Sequence, residues 1–169
     1  MLLLNHDRYY IAIPNWQNYN DIEAIEQLHA WNESSYYSLL GFIDVHEYKQ
    51  ARDSSLYCSI KQSLSERMRM CKTFILIVGE HTKRLTKGSC SSCSKRFSCI
   101  SSHNTDSRSY VEYECELAVK SGLKIVVLYN SNVVNKNLCP EAVRDIGIHT
   151  AMKCYNTFYY PAVRDAIMY

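Results

Sequence analysis

Short apolar segments alternate with amphipathic segments along most of this chain. The apolar segments have the length and the aromatic and β-branched content of strands, and they are Tyr9–Ile13, Phe42–Val45, Thr73–Val78, Lys124–Tyr129 and Thr150–Tyr155. Two of them, Thr73–Val78 and Lys124–Tyr129, are nearly continuous in apolar residues. Such continuity is typical of strands that are covered on both faces of a parallel sheet.

Four helices are predicted between and after these strands. Apolar residues spaced by three and four positions indicate the helices, and capping residues give their boundaries. The helices begin at Asn20 or Asp21, after Ser54 or Ser55, at Tyr110 and at Pro161, and the third ends at Gly122. The alternation favours an α/β fold, a parallel sheet with helices on both faces. At 169 residues the chain is expected to form one domain, 1–169.

Composition and charge exclude several classes of protein. The chain is 47% hydrophobic and 21% charged, with only 5 Gly and 3 Pro, which argues against a disordered or low-complexity segment. A formal net charge of +2 gives no support for a nucleic-acid partner. The apolar start Met1–Leu4 is too short for a signal peptide or a membrane-spanning helix. We therefore expect no membrane association and a cytoplasmic location.

Common enzyme motifs are missing from the sequence. The chain has no G-x-G-x-x-G, no P-loop, no G-x-S-x-G and no H-E-x-x-H. Ligands of parallel α/β sheets bind at the carboxyl ends of the strands. The candidate binding segments are therefore the loops that follow the predicted strands.

The third helix carries one carboxylate on an unexpected face. Val111, Cys115 and Ala118 form the buried stripe at 100° per residue, and Glu114 lies at the flank of that stripe. A partly desolvated carboxylate needs a partner, because the burial of an unpaired Glu is costly. Two interpretations follow. Glu114 is either satisfied structurally by a neighbouring hydroxyl or backbone N–H, or it is a functional carboxylate.

A Cys- and Ser-rich insertion, residues 80–109, interrupts the alternation before the third helix. Within it, Cys90, Cys93 and Cys99 follow a C-x₂-C-x₅-C spacing, and His103 comes four residues later. Four such ligands make a closed tetrahedral zinc site, and a bound metal would order a polar loop of this length. The alternative is a set of reduced thiols on a mobile loop, which fits a chain without an export signal.

Several segments together resemble a TIR domain. They are Phe42-Ile43-Asp44, Arg52-Asp53-Ser54-Ser55 before a helix, Ile77-Val78-Gly79-Glu80-His81-Thr82, and Tyr110-x-x-x-Glu114. The chain is most similar to the TIR-like proteins of the bacterial Thoeris anti-phage defence system, the ThsB type. The resemblance covers about Arg8 to Tyr155 and implies a flavodoxin-like sheet.

The resemblance also implies an activity. Active TIR domains cleave the nicotinamide–ribose bond of NAD⁺ with a Glu that follows an aromatic residue by four positions. Here these are Glu114 and Tyr110, where the family usually has Trp. Thoeris-type members convert NAD⁺ into a cyclic or conjugated ADP-ribose messenger that activates a separate effector protein. A phage-derived trigger and self-association into homo-oligomers are further expectations.

The remaining site residues follow from the same resemblance. We expect NAD⁺ to contact residues at the strand ends, which are Ile13, Asn15, Asp44, His46, Ser55 and Thr82. Asp44 is equally a turn-forming residue, and Ser55 equally a helix cap. The whole chain also fits two other interpretations: a TIR module for assembly that has no catalytic activity, and a small metal-binding interaction domain built around the cysteines.

Overall fold

A five-stranded parallel sheet forms the centre of the fold. The computed structural model describes residues 7–12, 19–37, 42–44, 57–92 and 106–169. The strands are β1 (Asp7–Ala12), β2 (Phe42–Asp44), β3 (Thr73–Val78), β4 (Lys124–Tyr129) and β5 (Ile148–Ala151). Their order is β2-β1-β3-β4-β5, and every neighbouring pair is parallel. This is the flavodoxin-like order, in which the direction of winding changes between β1 and β3.

Helices cover both faces of the sheet, as the alternation predicts. α1 (Tyr19–Glu33) and α4 (Tyr160–Met168) pack on one face, and α2 (Tyr57–Met68) and α3 (Tyr110–Lys120) pack on the other. Successive strand residues point to opposite faces, so that Tyr9 joins the α1–α4 core and Tyr10 the α2–α3 core. The prediction of a single α/β domain is confirmed.

The two central strands have the predicted boundaries, but the late strand does not. β3 and β4 match the sequence prediction, and all six residues of β3 are buried. The predicted strand Thr150–Tyr155 is wrong by two residues at its start and by four at its end, since β5 begins at Ile148 and ends at Ala151. His149 is polar and interrupts the apolar pattern, so the sequence does not show where this strand starts. In the structure its Nδ1 lies 2.9 Å from the Tyr129 hydroxyl, so a polar side chain is accommodated there.

A small hairpin follows the sheet. β6 (Lys153–Cys154) pairs in antiparallel fashion with β7 (Thr157–Phe158). Tyr155 and Asn156 form its turn, with φ angles of 50° and 63°. Asn132 holds this turn, because its side chain accepts from the Asn156 N–H and donates to the Asn156 side chain. The end of the predicted late strand therefore belongs to the hairpin.

The ends of α3 are fixed by local capping. The Ser109 side chain accepts from the Glu112 N–H, and the Glu112 carboxylate accepts from the Ser109 N–H. This reciprocal arrangement is a capping box, and it fixes where the helix begins. At the other end Gly122 has a φ of 68°, as predicted for a glycine that ends a helix.

Among the residues that the structure describes, none forms a helix with the length and apolar character needed to span a bilayer.

Candidate functional site

Glu114 lies on the buried face of α3 and contacts Tyr10 of β1. Only 4% of the residue is exposed. The Tyr10 hydroxyl, which comes from β1 and is 104 residues away in the chain, donates a hydrogen bond to Glu114 Oε1. Tyr10 is fully buried, and its ring stacks on Phe74 with the ring centroids 5.9 Å apart. The helical period predicted the burial of Glu114, whereas nothing local in the sequence indicated Tyr10.

The surroundings of Glu114 shift its acid–base equilibrium. Burial raises the pKa of Glu114 to about 7, against the hydrogen bond from Tyr10 and the charge of Arg67, which both favour the ionised form. Burial and the nearby Glu114 charge raise the pKa of Tyr10 well above its usual value, so the hydroxyl stays protonated and donates. Glu114 therefore exchanges a proton near neutral pH, unlike an ordinary surface carboxylate.

A structural role for Glu114 requires a partner such as a hydroxyl, and the Tyr10 hydroxyl is present as that partner. A functional carboxylate also needs to be held in place, and a pKa near neutrality is a feature that often marks active sites. The Tyr10 contact is compatible with both interpretations of Glu114. Measuring NAD⁺ turnover by a Glu114→Gln variant distinguishes the two interpretations.

Tyr110 lies one helical turn before Glu114 on α3. Its ring is packed edge-on against Tyr57 of α2, with the centroids 5.5 Å apart. Its backbone N–H donates to the Lys87 carbonyl over 2.8 Å. Gly88 has a φ of 100°, and a Cβ at that position would lie 2.5 Å from Tyr110 Cγ. The aromatic position before Glu114 is therefore tightly enclosed by Lys87 and Gly88, in the first part of the insertion.

A charged network, which we call the clasp, ties the end of the insertion to α2 and α3. Lys61 Nζ donates to the Arg108 carbonyl over 2.7 Å and lies 3.1 Å from Asp106 Oδ2. Arg108 binds Asp106 through Nε (2.8 Å) and Glu116 through Nη1 (2.6 Å). The Lys61 and Arg108 cations both contact the Tyr113 ring. The clasp fixes the residues that lead into α3, and the role of Lys61 in it was not predicted from the sequence.

A second polar cluster lies at the carboxyl ends of β3 and β4. Asp21, in the first turn of α1, is 2% exposed and accepts a hydrogen bond from the Asn130 side chain. Burial raises the pKa of Asp21, against this hydrogen bond and the charge of His81. Asp21 Oδ1 occupies the space beside Gly79, only 2.1 Å from where a Cβ would lie. In the sequence Asp21 is recognisable only as a possible helix start, so this role was not predicted.

Gly79→Ala is expected to destabilise the fold by about 1–3 kcal/mol, because the new methyl group overlaps the buried Asp21 carboxylate. Urea unfolding of the variant measures the loss in the free energy of unfolding. In an Asp21→Ala background the same Gly79→Ala change is expected to cost less, since the overlapping oxygens are gone. An equal cost in both backgrounds would show that the overlap with Asp21 is not the cause.

Two more of the predicted site residues are described by the structure. Asp44 is 5% exposed at the end of β2, and its Oδ2 lies 3.3 Å from His29 Nε2 of α1. Thr82 is buried, and its hydroxyl accepts from the Gly79 N–H over 2.8 Å. Both side chains are therefore held at the carboxyl edge of the sheet, and their contact with NAD⁺ stays a prediction.

The other predicted site residues lie outside the described part of the chain. They are Ile13, Asn15, His46 and Ser55 of the expected NAD⁺ site, and Cys93, Cys99 and His103 of the expected zinc site. Cys90 is described, and its N–H donates to the Asp106 carbonyl over 2.9 Å, which closes the base of the insertion. Within the described ranges no group of three or more His, Cys, Asp or Glu side chains is arranged for a metal. The zinc site stays a prediction.

Comparisons with known proteins bear on the family. Residues 9–87 match the family model described as the TIR-like domain of the Thoeris protein ThsB. No curated protein matches the chain. Among solved structures, a de novo designed Rossmann 2x3 fold protein, determined by solution NMR, is 13% identical with a TM-score of 0.41. That alignment covers 95% of this chain and 85% of the designed protein.

The family match has a definite extent along the chain. It includes β1 to β3 and the start of the insertion, whereas Tyr110 and Glu114 lie beyond it. The resemblance seen in the sequence is confirmed over the matched residues. Residues 9–87, folded into the first part of a flavodoxin-like sheet, are similar to the TIR-like domain of the Thoeris protein ThsB, and this match supports a domain of that type here.

Proposed function

We propose that this chain cleaves the nicotinamide–ribose bond of NAD⁺ and that Glu114 is its catalytic residue. One observation carries the proposal. In a chain with a ThsB-type TIR-like domain, a carboxylate with a pKa of about 7 lies on the helix after β3, one turn behind Tyr110. Such a group is rare in a protein core, and its position is the one that the family resemblance implies for the catalytic Glu.

The chemistry requires only one carboxylate. Cleavage of the N-glycosidic bond builds positive charge on the ribose, as in glycoside hydrolysis. Nicotinamide leaves as a neutral base, so no general acid is needed. An ionised Glu114 accepts hydrogen bonds from the ribose hydroxyls and stabilises the developing cation. A preorganised group of this kind contributes about 10²–10³ to the rate.

The other site residues take positioning roles in this proposal. Tyr110 lies on the same helix as Glu114 and supplies an aromatic surface near the reacting ribose. Asp44 and Thr82 are at the carboxyl edge of the sheet, where ligands of this fold bind. Ile13 and Asn15 follow β1 in the sequence, and His46 and Ser55 follow β2. All seven residues are proposed to contact NAD⁺.

The product and the partners follow the family. We propose that the released ADP-ribose moiety is cyclised or conjugated into a messenger that activates a separate effector protein. A phage-derived trigger starts the reaction, self-association completes or gates the site, and the protein works in the cytoplasm. Structural zinc in the insertion is a separate proposal on which this chemistry does not depend.

A second candidate function is a TIR module for assembly without catalysis. The burial of Glu114 and its hydrogen bond from Tyr10 favour it, because a carboxylate satisfied inside the core needs no substrate. The two functions differ in one measurable respect. Only the enzyme releases nicotinamide from NAD⁺.

The experiment incubates the purified full chain with NAD⁺ and measures free nicotinamide by mass spectrometry, with and without a lysate of phage-infected cells. Release of nicotinamide in either condition supports the enzyme. No release in both conditions, from protein with a cooperative unfolding transition, contradicts it and supports the assembly module.

A further inference from the structure

We propose that Tyr10 is a positioning residue for Glu114: its hydroxyl, delivered from β1, orients the carboxylate and holds it in the ionised form that the reaction uses. This inference rests on the proposed function, which it deepens by naming a second residue of the same site. Tyr10 does not lie on the helix that carries Glu114, and it has no part in the motif that the resemblance supplies.

The geometry restricts what the hydroxyl can do. Tyr10 is fully buried, and its ring is held between the strands and helices of the α2–α3 core. In β1 it pairs in register with Phe74 of β3, on which it also stacks. A ring fixed in this way has little rotational freedom. Its hydroxyl therefore presents a donor at one defined point, which is Glu114 Oε1.

The other ionisable groups around Glu114 come from the elements packed on it. Arg67 of α2 acts on both Glu114 and Tyr10 through its charge. Cys115, the next residue of α3, is fully buried, and burial raises the pKa of its thiol, which keeps it neutral. Asp44 of β2 acts on Tyr10 at longer range. The Tyr10 hydroxyl acts on the carboxylate directly, through the hydrogen bond that it donates to Glu114 Oε1.

The sign of the effect follows from the donor. A hydroxyl that donates to a carboxylate stabilises the charged form, whereas burial destabilises it. Removing the donor takes away one of the interactions that oppose the effect of burial, so the pKa of Glu114 rises above about 7. A hydrogen bond to a charged group accounts for about one pKa unit or more, which is a tenfold change in ionisation. Because the ionised form is the active one, the acidic limb of the rate profile moves to higher pH.

The test uses Tyr10→Phe, which keeps the ring stacked on Phe74 and removes only the hydroxyl. The matched control is Tyr9→Phe, which removes a hydroxyl one residue away on the opposite face of the sheet. The first measurement is the titration of the Glu114 carboxyl by ¹³C NMR on glutamate-labelled protein, with Glu114→Gln to assign the signal. We expect the midpoint to rise by about one unit in Tyr10→Phe and to stay unchanged in Tyr9→Phe.

The second measurement is the pH dependence of NAD⁺ turnover. In Tyr10→Phe we expect kcat to fall about fivefold to tenfold at pH 7 and to recover most of the loss at pH 9. A purely structural role would instead lower turnover equally at every pH. An unchanged NMR midpoint, or a loss independent of pH, overturns the proposal. The NMR titration does not depend on turnover, so failure of the proposed function and failure of this inference are distinguishable.

Discussion

Glu114→Gln is expected to lose nearly all NAD⁺ turnover, by about 10²–10³ in kcat. The amide has the size and shape of the carboxylate but carries no negative charge. It accepts hydrogen bonds from a ribose, yet it cannot stabilise the positive charge that develops as nicotinamide departs. The loss should appear in kcat more than in KM, because the missing interaction is strongest in the transition state.

The same variant is expected to fold normally. The Tyr10 hydroxyl can donate to the amide oxygen as it does to Glu114 Oε1. Burial raises the pKa of Glu114, so the ionised form is disfavoured in the folded protein, and this cost is present in full above about pH 7. The neutral amide avoids the cost. At pH 8 we therefore expect Glu114→Gln to unfold at the same urea concentration as the unmodified protein, or at a higher one.

Nicotinamide release measured by mass spectrometry checks the expectation. The matched control is Glu116→Gln, which neutralises a half-exposed carboxylate on the same helix that pairs with Arg108. We expect this control to keep turnover, since Glu116 does not contact the proposed site. Undiminished turnover by Glu114→Gln, in protein that unfolds cooperatively, would remove Glu114 from the mechanism and leave the cleavage to other residues.

Local periodicity was enough to predict most of the fold. The apolar continuity of Thr73–Val78 placed β3 between helices on both faces, and the spacing of Val111, Cys115 and Ala118 placed Glu114 at a buried position. Both are properties of a few consecutive residues. Where a polar residue starts a strand, as near His149, the same rule fails, because the partner that satisfies it is twenty residues away.

The candidate site was only partly predictable for a related reason. Tyr10 looks like any strand residue, and its role depends on a contact across 104 positions of the chain. Lys61 looks like a solvent-facing helix residue, yet it is 4% exposed and bound to the end of the insertion. Partners that meet only after folding leave no periodic signal. A buried carboxylate can be predicted from one helix, but the donor that satisfies it cannot.

The second large effect concerns the clasp, where Asp106→Ala is expected to destabilise the fold by about 3 kcal/mol. Lys61 is buried, and its Nζ lies 3.1 Å from Asp106 Oδ2. Without Asp106 this cation keeps the Arg108 carbonyl but loses the carboxylate that balances its charge among the described residues. A buried charge that loses its partner costs more than the pair contributed. Urea unfolding at pH 7 measures the change. The control is Asp145→Ala, whose exposed pair with Lys136 should contribute less than about 1 kcal/mol.

The pH dependence of this effect has a definite sign. Burial favours the neutral form of Asp106, but hydrogen bonds from Arg108 and Lys61 outweigh it and hold its pKa well below the usual 3.8. A carboxyl whose pKa is lowered by folding stabilises the fold in full when the pH is above its pKa in the unfolded chain. This contribution is lost as the pH falls toward its pKa in the folded protein. The difference between the unmodified protein and Asp106→Ala should therefore be full above pH 4 and shrink in more acidic buffer.

A double variant separates a lost ion pair from a merely disturbed loop. Lys61→Met keeps an unbranched side chain against Tyr113 and removes the buried cation. If Asp106→Ala loses stability because the buried Lys61 cation is left without its partner, the double variant Lys61→Met/Asp106→Ala should be more stable than Asp106→Ala alone. Additive losses would instead mean that Asp106 acts through Arg108 and the capping of α3. Because the clasp leads into the helix that carries Glu114, we expect Asp106→Ala to lower NAD⁺ turnover as well, and the double variant to regain turnover together with stability.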